Sequence, residues 1–195
     1  MSIDVPRPIV QFVKTRENPK RYAHSVRVAE TADTLALNHG EDRRKAFIAG
    51  FLHDLGRDIP EEELIPRARK YFPVFEWEEK RPVVVHGKAG AALAKDELGI
   101  ENPEILEAVA YHTTGKPGMG NIAKIVFIAD AVEPGRTHIT KDLYNRMLTI
   151  PLDTAVFELL KRKLVYLEGK HTDVAENTIR LYNELAPREV DKIEA

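Results

Sequence analysis

Cysteine is absent from this chain, and its absence narrows the chemistry that the side chains can perform. Without thiols there are no disulfide bonds and no thiolate metal ligands, so carboxylate oxygen and imidazole nitrogen remain as side-chain ligands for a divalent cation. Iron, manganese, magnesium and zinc all accept ligands of this kind. Any metal ion that the side chains of this protein bind would therefore have oxygen and nitrogen ligands.

Long apolar runs are absent as well. No stretch approaches the roughly 20 apolar residues that a membrane span needs. The first residues, MSIDVPRPIVQFVKTREN, lack the long apolar centre of a secretory signal. We therefore expect a cytoplasmic protein without a membrane partner.

The chain also lacks an excess of basic charge. Lys and Arg number 29 against 31 Asp and Glu, which gives a formal net charge of -2. No overall positive field favours nucleic acid, so we expect no nucleic-acid partner, although a local site can still bind a polyanion. The length of 195 residues and the short predicted connections indicate one domain over 1–195, with a core at about 18–185, a short N-terminal helix and a frayed tail at 188–195.

Helical periodicity, by contrast, is abundant. Apolar residues recur at spacings of three and four almost throughout, and no stretch alternates in the manner of a strand. The pattern predicts an all-α bundle of about ten helices. Asn18 is predicted to begin the second helix and Gly40 to end it, and the third helix is predicted to run from about residue 41 to Gly56.

Several histidines and aspartates lie inside or at the ends of predicted helices, beside small or apolar neighbours: His24, His53, Asp54, His86, His112 and Asp130. One such residue alone is most simply a buried polar group with its own hydrogen-bonding partner. Six of them on five helices would each need a separate partner, whereas a shared metal centre satisfies all of them together. The pattern favours a site for one or two divalent metals.

The adjacent pair His53 and Asp54, in AGFLHDLGRD, admits two interpretations. It either caps and solvates a helix end or binds something charged. Neighbouring helical residues point about a quarter turn apart, so both can reach one centre only near a helix end, which Gly56 is predicted to supply. Because small and apolar residues precede the pair, we interpret it as two metal ligands.

The loop after the fourth of these histidines is a candidate phosphate site. Thr113, Thr114, Gly115 and Lys116 combine hydroxyl donors, an accessible backbone and an ammonium, which together suit phosphate oxygens. A plain helix C-terminus explains the same residues equally well, with Gly115 as the left-handed cap and Lys116 complementing the helix dipole. The residue types alone leave both interpretations open.

Further candidates for contacts with substrate are isolated cations and aromatic residues. Arg136 in EPGR can form a forked contact with phosphate, although an ordinary surface position is the simpler interpretation. Arg57 and Lys88 are weaker candidates. Five aromatic residues are candidates for stacking on a base, with packing in the core as the alternative: Tyr22, Tyr71, Phe72, Phe75 and Trp77.

The order and context of these residues resemble the HD-domain superfamily of metal-dependent phosphohydrolases, whose name comes from the adjacent His-Asp pair. The resemblance narrows to the YqeK family of symmetrical diadenosine tetraphosphate hydrolases and covers roughly residues 18–185. It is carried by RYAHSVRVAETADTLALNHGEDRRKAFIAGFLHDLGRD, VVVHGKAGAALAKDELGI and AVAYHTTGKPGMGNIAKIVFIADAVEPGR. A His-Asp pair alone is weak evidence, but HTTGKPGM followed by IADAVEPGR at this spacing is highly specific.

The resemblance implies a role for each residue. The ligands of a first metal are matched by His24, His53, Asp54 and Asp130, and those of a second metal by His86 and His112. Iron is the usual metal of the family and manganese our second choice, with magnesium or zinc also possible. His53 and Asp54 would carry catalysis: Asp54 would bridge the metals while a hydroxide attacks phosphorus, and the substrate would yield two ADP. The family also places Arg136 beside the pocket.

Two residues depart from the family pattern, and several alternatives stay open. Gly56 and Arg57 stand where we expect an alanine and a lysine. An arginine presents its positive charge with a different geometry from a lysine, which bears on substrate preference.

A second candidate for the function is another HD phosphohydrolase, acting on nucleoside monophosphates or guanosine alarmones. A non-catalytic nucleotide or metal sensor and a purely structural helical protein are the others. The chain is expected to be a monomer or a homodimer.

Overall fold

The structure is a computed structural model that describes residues 6–187 and 192–193. Most of the tail predicted to fray lies outside the described residues. The all-α prediction is confirmed, since the described residues form eleven α-helices, one 3₁₀ helix at Pro82–Val85 and no strand. The helices are α1 Arg7–Arg16, α2 Pro19–His39, α3 Arg43–Leu52, α4 Glu61–Ala68, α5 Glu76–Glu79, α6 His86–Leu98, α7 Pro103–Tyr111, α8 Asn121–Val132, α9 Lys141–Met147, α10 Leu152–Gly169 and α11 Glu176–Leu185.

The boundaries of α2 follow directly from local sequence signals. Asn18 precedes the helix, and its side chain accepts a hydrogen bond from the backbone N–H of Arg21. Gly40 ends the helix with φ at 69°, a left-handed conformation that glycine adopts without a steric penalty. Both boundaries were predicted from the sequence, and both are confirmed.

The predicted end of α3 was wrong by several residues. The helix ends at Leu52, and the chain continues as tight turns in which the N–H of Leu55 bonds to Leu52 and that of Arg57 bonds to Asp54. These bonds span three residues rather than four, so the backbone winds more tightly than in an α-helix. His53 and Asp54 therefore lie in these turns, immediately after the end of α3.

Gly56 has a packing role rather than the helix-capping role predicted for it. A Cβ atom placed on this residue would lie 2.1 Å from the carbonyl oxygen of His86 and 2.8 Å from the backbone nitrogen of Gly90. The absence of a side chain thus lets the turn after α3 approach α6 at backbone distance. This close approach brings the His53 and Asp54 turn next to His86.

The helices pack around α8, whose residues are mostly buried. Helices α2, α3, α7 and α10 lie against it, α6 packs on α7 and α4, and α11 packs on α10. Its sequence, NIAKIVFIADAV, is apolar on nearly every side because it has neighbours on nearly every side. Among the described residues, no helix is both long enough and apolar enough to cross a membrane.

Candidate metal centre and substrate cavity

The fold brings all six predicted metal ligands to one place. They come from the second turn of α2, the turn after α3, the start of α6, the end of α7 and the last part of α8. The closest distances between them are 3.2 Å for His24 Nε2 to His53 Nε2, 3.1 Å for His24 Nε2 to Asp130 Oδ1, 3.1 Å for His86 Nε2 to His112 Nε2, and 3.5 Å for His86 Nε2 to Asp54 Oδ1. Two overlapping groups of these residues have the close spacing that a metal ion requires. One group is His24, His53 and Asp130, and the other is His53, Asp54 and His112.

Three of the four imidazoles are oriented by a backbone carbonyl three residues earlier in the chain. The Nδ1 atoms of His53, His86 and His112 lie 2.7, 2.7 and 2.8 Å from the carbonyl oxygens of Gly50, Val83 and Val109. A carbonyl oxygen can only accept a hydrogen bond, so each Nδ1 carries the proton. In the neutral ring this leaves a lone pair on Nε2, directed into the cluster.

These lone pairs face one another across short distances. The Nε2 atoms of His86 and His112, only 3.1 Å apart, would repel unless a proton or a metal cation satisfied them. Burial lowers the pKa of His86 and lowers that of His53 to about 4, which disfavours a proton at these positions. The arrangement of donors therefore fits a metal cation better than a set of separately satisfied polar groups.

The two carboxylates of the cluster remain ionised. Burial alone would raise the pKa of Asp54, but the neighbouring imidazoles, His53 foremost, hold it well below its usual range. The pKa of Asp130 is likewise lowered, because its hydrogen bond with His24, the nearby His53 and the positive charge of Arg136 outweigh its burial. The imidazoles and the ionised carboxylates form a mixed nitrogen and oxygen ligand set, which suits iron, manganese or zinc.

His24 differs from the other three histidines because a carboxylate orients its ring. Its Nδ1 donates to Glu133 Oε1 at 3.1 Å, and Glu133 is almost fully buried and also accepts hydrogen bonds from Arg27 and the backbone N–H of Gly135. Burial lowers the pKa of His24, but the hydrogen bonds to Asp130 and Glu133 outweigh it and raise the pKa. Sequence reasoning missed Glu133, although its position three residues after Asp130, just past the end of α8, was the available signal.

We expect Glu133→Gln to weaken metal binding by about 10- to 100-fold, the usual cost of losing a partner that orients a metal-binding histidine. The amide keeps the size of the side chain but removes the charge that fixes the tautomer of His24 and pairs with Arg27. Competition with a chromophoric chelator measures the affinity. Glu30→Gln, an exposed change on the same helix as His24, is the matched control. Equal metal affinity in the two variants would contradict this role for Glu133.

A cavity of about 680 Å³ opens beside the metal cluster, and we call it the central cavity. Of the predicted site residues, Arg57, His112, Thr113, Asp130 and Arg136 line it. Arg57 donates through Nε to Asp54 Oδ1 at 3.1 Å, and Arg136 pairs with Asp130. Both arginines thus hold the carboxylates of the cluster while they face the cavity.

The predicted phosphate loop reaches the central cavity only through its first residue. The Oγ1 atom of Thr113 lies 3.0 Å from His112 Nε2, whereas Thr114 is buried and its carbonyl accepts a hydrogen bond from Thr178. Gly115 has φ at 65°, and Lys116 forms an ion pair with Glu107 at 2.8 Å. Gly115 and Lys116 do not line the central cavity, so the arrangement of these two residues matches the helix-end interpretation.

Helix α10 contributes cavity residues that the sequence did not identify. Arg162, Lys163 and Tyr166 line the central cavity, together with His138 from the segment between α8 and α9. Burial lowers the pKa of Lys163 to about 8, so its ammonium stays mostly charged at neutral pH. The sequence of α10 shows only an amphipathic helix, and nothing local distinguishes these polar residues from solvated ones.

Comparisons with known proteins agree with this geometry. Residues 21–135 match a family model described as HD domain. A Bacillus subtilis protein named "Bis(5'-nucleosyl)-tetraphosphatase, symmetrical" is 34% identical over 172 residues, which cover 88% of this chain and 92% of that protein. A Staphylococcus aureus protein of the same name is 35% identical over 178 residues, which cover 89% and 90%.

Solved structures show the same fold. A protein from Clostridium acetobutylicum, described as a predicted HD superfamily hydrolase involved in NAD metabolism, superposes with a TM-score of 0.87 at 31% identity, over 94% of this chain and 98% of that one. The HD domain of a phosphodiesterase, PgpH, from L. monocytogenes, in complex with cyclic-di-AMP, gives a TM-score of 0.52 at 17% identity over 92% of this chain and 93% of that one. The second likeness shows the fold alone.

Proposed function

This chain belongs to the HD-domain family, and from that premise we propose that it hydrolyses diadenosine tetraphosphate symmetrically to two ADP. The match to the HD-domain family model and the two named relatives confirm the family resemblance that the sequence showed. The observation that carries the proposal is the cluster of four imidazoles and two carboxylates beside a cavity with several cationic side chains. Relatives at 34% and 35% identity that are named for this activity, and that match along nearly their whole length, support it.

An HD domain implies a divalent metal, and the observed cluster fits one. His24, His53, Asp54 and Asp130 would hold a first ion, while His86 and His112 would complete a second site that shares Asp54. The resemblance to the family makes iron our first choice and manganese the second, and both accept mixed imidazole and carboxylate ligands. When bound, such a metal polarises a phosphate oxygen and activates water as the nucleophile.

The protein's own cations neutralise a substrate that is strongly anionic. Arg57, Arg136 and Lys163 line the central cavity, and each has N–H groups to offer in addition to its contact within the protein. Arginine presents its donors in a fork that matches two phosphate oxygens. The hydroxyl of Thr113, next to His112, can donate to another phosphate oxygen. These contacts would hold the phosphate chain across the metal cluster.

The test is an analysis of nucleotide products after incubation with diadenosine tetraphosphate. Purified protein is loaded separately with ferrous iron, manganese, magnesium or zinc, and a chelator-treated sample is the control. ADP as the sole product, formed only with metal, is the expected result. ATP with AMP would mean attack away from the centre of the chain. No turnover with any metal would overturn the proposal and direct the search to nucleoside monophosphates, guanosine alarmones or a sensor role.

A further inference from the structure

A second cavity of about 350 Å³ lies next to the central one, and we call it the side cavity. It is enclosed by residues from α5, the chain just after α5, the loop after α7, α10 and α11. Trp77, Lys80, Arg81, Thr113, Lys163 and Thr178 are among its lining residues. Its volume is within the range of pockets that bind small molecules.

The two cavities meet at Thr113 and Lys163, which line both. The Lys163 ammonium donates to the carbonyl oxygen of Thr113, and this contact forms the boundary between them. The Thr113 hydroxyl lies 3.0 Å from His112 Nε2 and 3.2 Å from His86 Nε2. The boundary between the cavities is therefore also the edge of the metal cluster.

We propose that the side cavity binds the second nucleoside of the dinucleotide, with Trp77 stacked on its base, while the first nucleoside occupies the central cavity. This inference rests on the proposed function. A substrate that is cut at its midpoint must extend two equal halves to either side of the reacting centre. One cavity on each side of Thr113 supplies room for both halves, and a mononucleotide substrate would require only one.

The side chains of the side cavity suit a nucleotide. Trp77 offers a flat, half-buried aromatic surface, and aromatic stacking accepts any base. Lys80 and Arg81 add positive charge on one wall, and Lys163 adds it at the boundary, where the phosphate chain would cross. Lys80 already pairs with Glu76, and Arg81 donates to the carbonyl oxygen of Asp173. The charge on Lys163 thus lies nearest to the position expected for phosphate.

Trp77 provides a direct measurement because it is the only tryptophan of the chain. A diadenosine tetraphosphate analogue with a methylene group in place of the central bridging oxygen resists hydrolysis at that point. Titration of the metal-loaded protein with this analogue is expected to quench tryptophan emission as the base stacks. Adenosine 5′-tetraphosphate, which has the same phosphate chain but a single nucleoside, should fill the larger central cavity first and quench much less.

Variants at the same position separate binding from structure. We expect Trp77→Ala to raise KM for diadenosine tetraphosphate by about tenfold or more, as loss of one stacked base does. The inhibition constant of adenosine 5′-tetraphosphate should rise much less, and Trp77→Phe should restore most of the dinucleotide affinity. Tyr71→Ala, which removes an exposed aromatic residue outside both cavities, is the matched control.

The outcomes distinguish this inference from the function on which it rests. If the wild-type protein does not release ADP from diadenosine tetraphosphate, the proposed function itself fails. If ADP is released but the analogue leaves tryptophan emission unchanged, the assignment of the side cavity is overturned and the function stands. Equal effects of Trp77→Ala on the dinucleotide and on adenosine 5′-tetraphosphate would overturn it as well.

Discussion

Asp54→Asn is expected to reduce both metal content and hydrolysis by at least about 100-fold, more than the loss of a residue that only orients a ligand. Of the carboxylates that the structure describes, only Asp54 lies within 4 Å of three histidines, at 3.5 Å from His86 Nε2, 3.6 Å from His112 Nε2 and 3.7 Å from His53 Nε2. Asparagine preserves the shape of the side chain but removes its negative charge. A divalent cation would then lose the anion that both metal positions share.

Metal per chain, measured by elemental analysis, and the rate of ADP release test this expectation together. Asp58→Asn, the same change at an exposed position four residues later, should leave both values near those of the wild type. The helical signal in circular dichroism should be equal in the two variants, because Asp54 lies after the end of α3. An Asp54→Asn protein with full metal content and a rate within tenfold of the wild type would exclude Asp54 as a shared ligand.

The metal cluster could be predicted from the sequence because its residues stand out locally. His53, Asp54 and Asp130 each interrupt or follow an apolar helical pattern, and a buried charge without a partner is costly. The order of the six residues also matched a known family, so their convergence could be expected without coordinates. The two ends of α2 could also be predicted from the sequence, since Asn18 and Gly40 act through contacts within a few residues.

The remaining site residues could not be predicted in the same way, because their roles arise from contacts between distant parts of the chain. Lys163 reaches Thr113 across 50 residues, and Glu133 reaches His24 across 109. The end of α3 was placed too late for a related reason. The role of Gly56 depends on the approach of α6, about 30 residues further on, rather than on any local capping signal.

The role of Lys88 likewise depends on contacts outside its own segment. The sequence alone made it a weak candidate for binding phosphate. The structure instead buries it almost completely, with its ammonium 2.5 and 2.7 Å from the carboxylate oxygens of Glu78 and 2.7 Å from the carbonyl of Pro73. Glu78 is equally buried and accepts a further hydrogen bond from the backbone N–H of Phe75. Lys88 is therefore a structural link between α6 and the segment around α5 rather than a contact for phosphate.

Lys88→Met is therefore expected to lower the free energy of unfolding by about 3–5 kcal/mol, because it leaves the Glu78 carboxylate buried without its counter-charge. Urea denaturation in the presence of a chelator measures this loss independently of metal binding. The double variant Lys88→Met/Glu78→Leu should be more stable than the single one, since it removes the unpaired charge as well. A single variant within about 1 kcal/mol of the wild type would contradict the prediction.

The position of this ion pair extends its effect from stability to the site. Lys88 follows His86 by two residues at the start of α6, and Glu78 is next to Trp77 in α5. Loss of the pair should therefore weaken dinucleotide binding in the molecules that remain folded, because the wall of the side cavity is no longer held. Lys80→Met removes one partner of an exposed ion pair near the same segment and should leave the denaturation midpoint near that of the wild type. If the pair mattered only for stability, Lys88→Met would lower the denaturation midpoint and leave KM for diadenosine tetraphosphate unchanged.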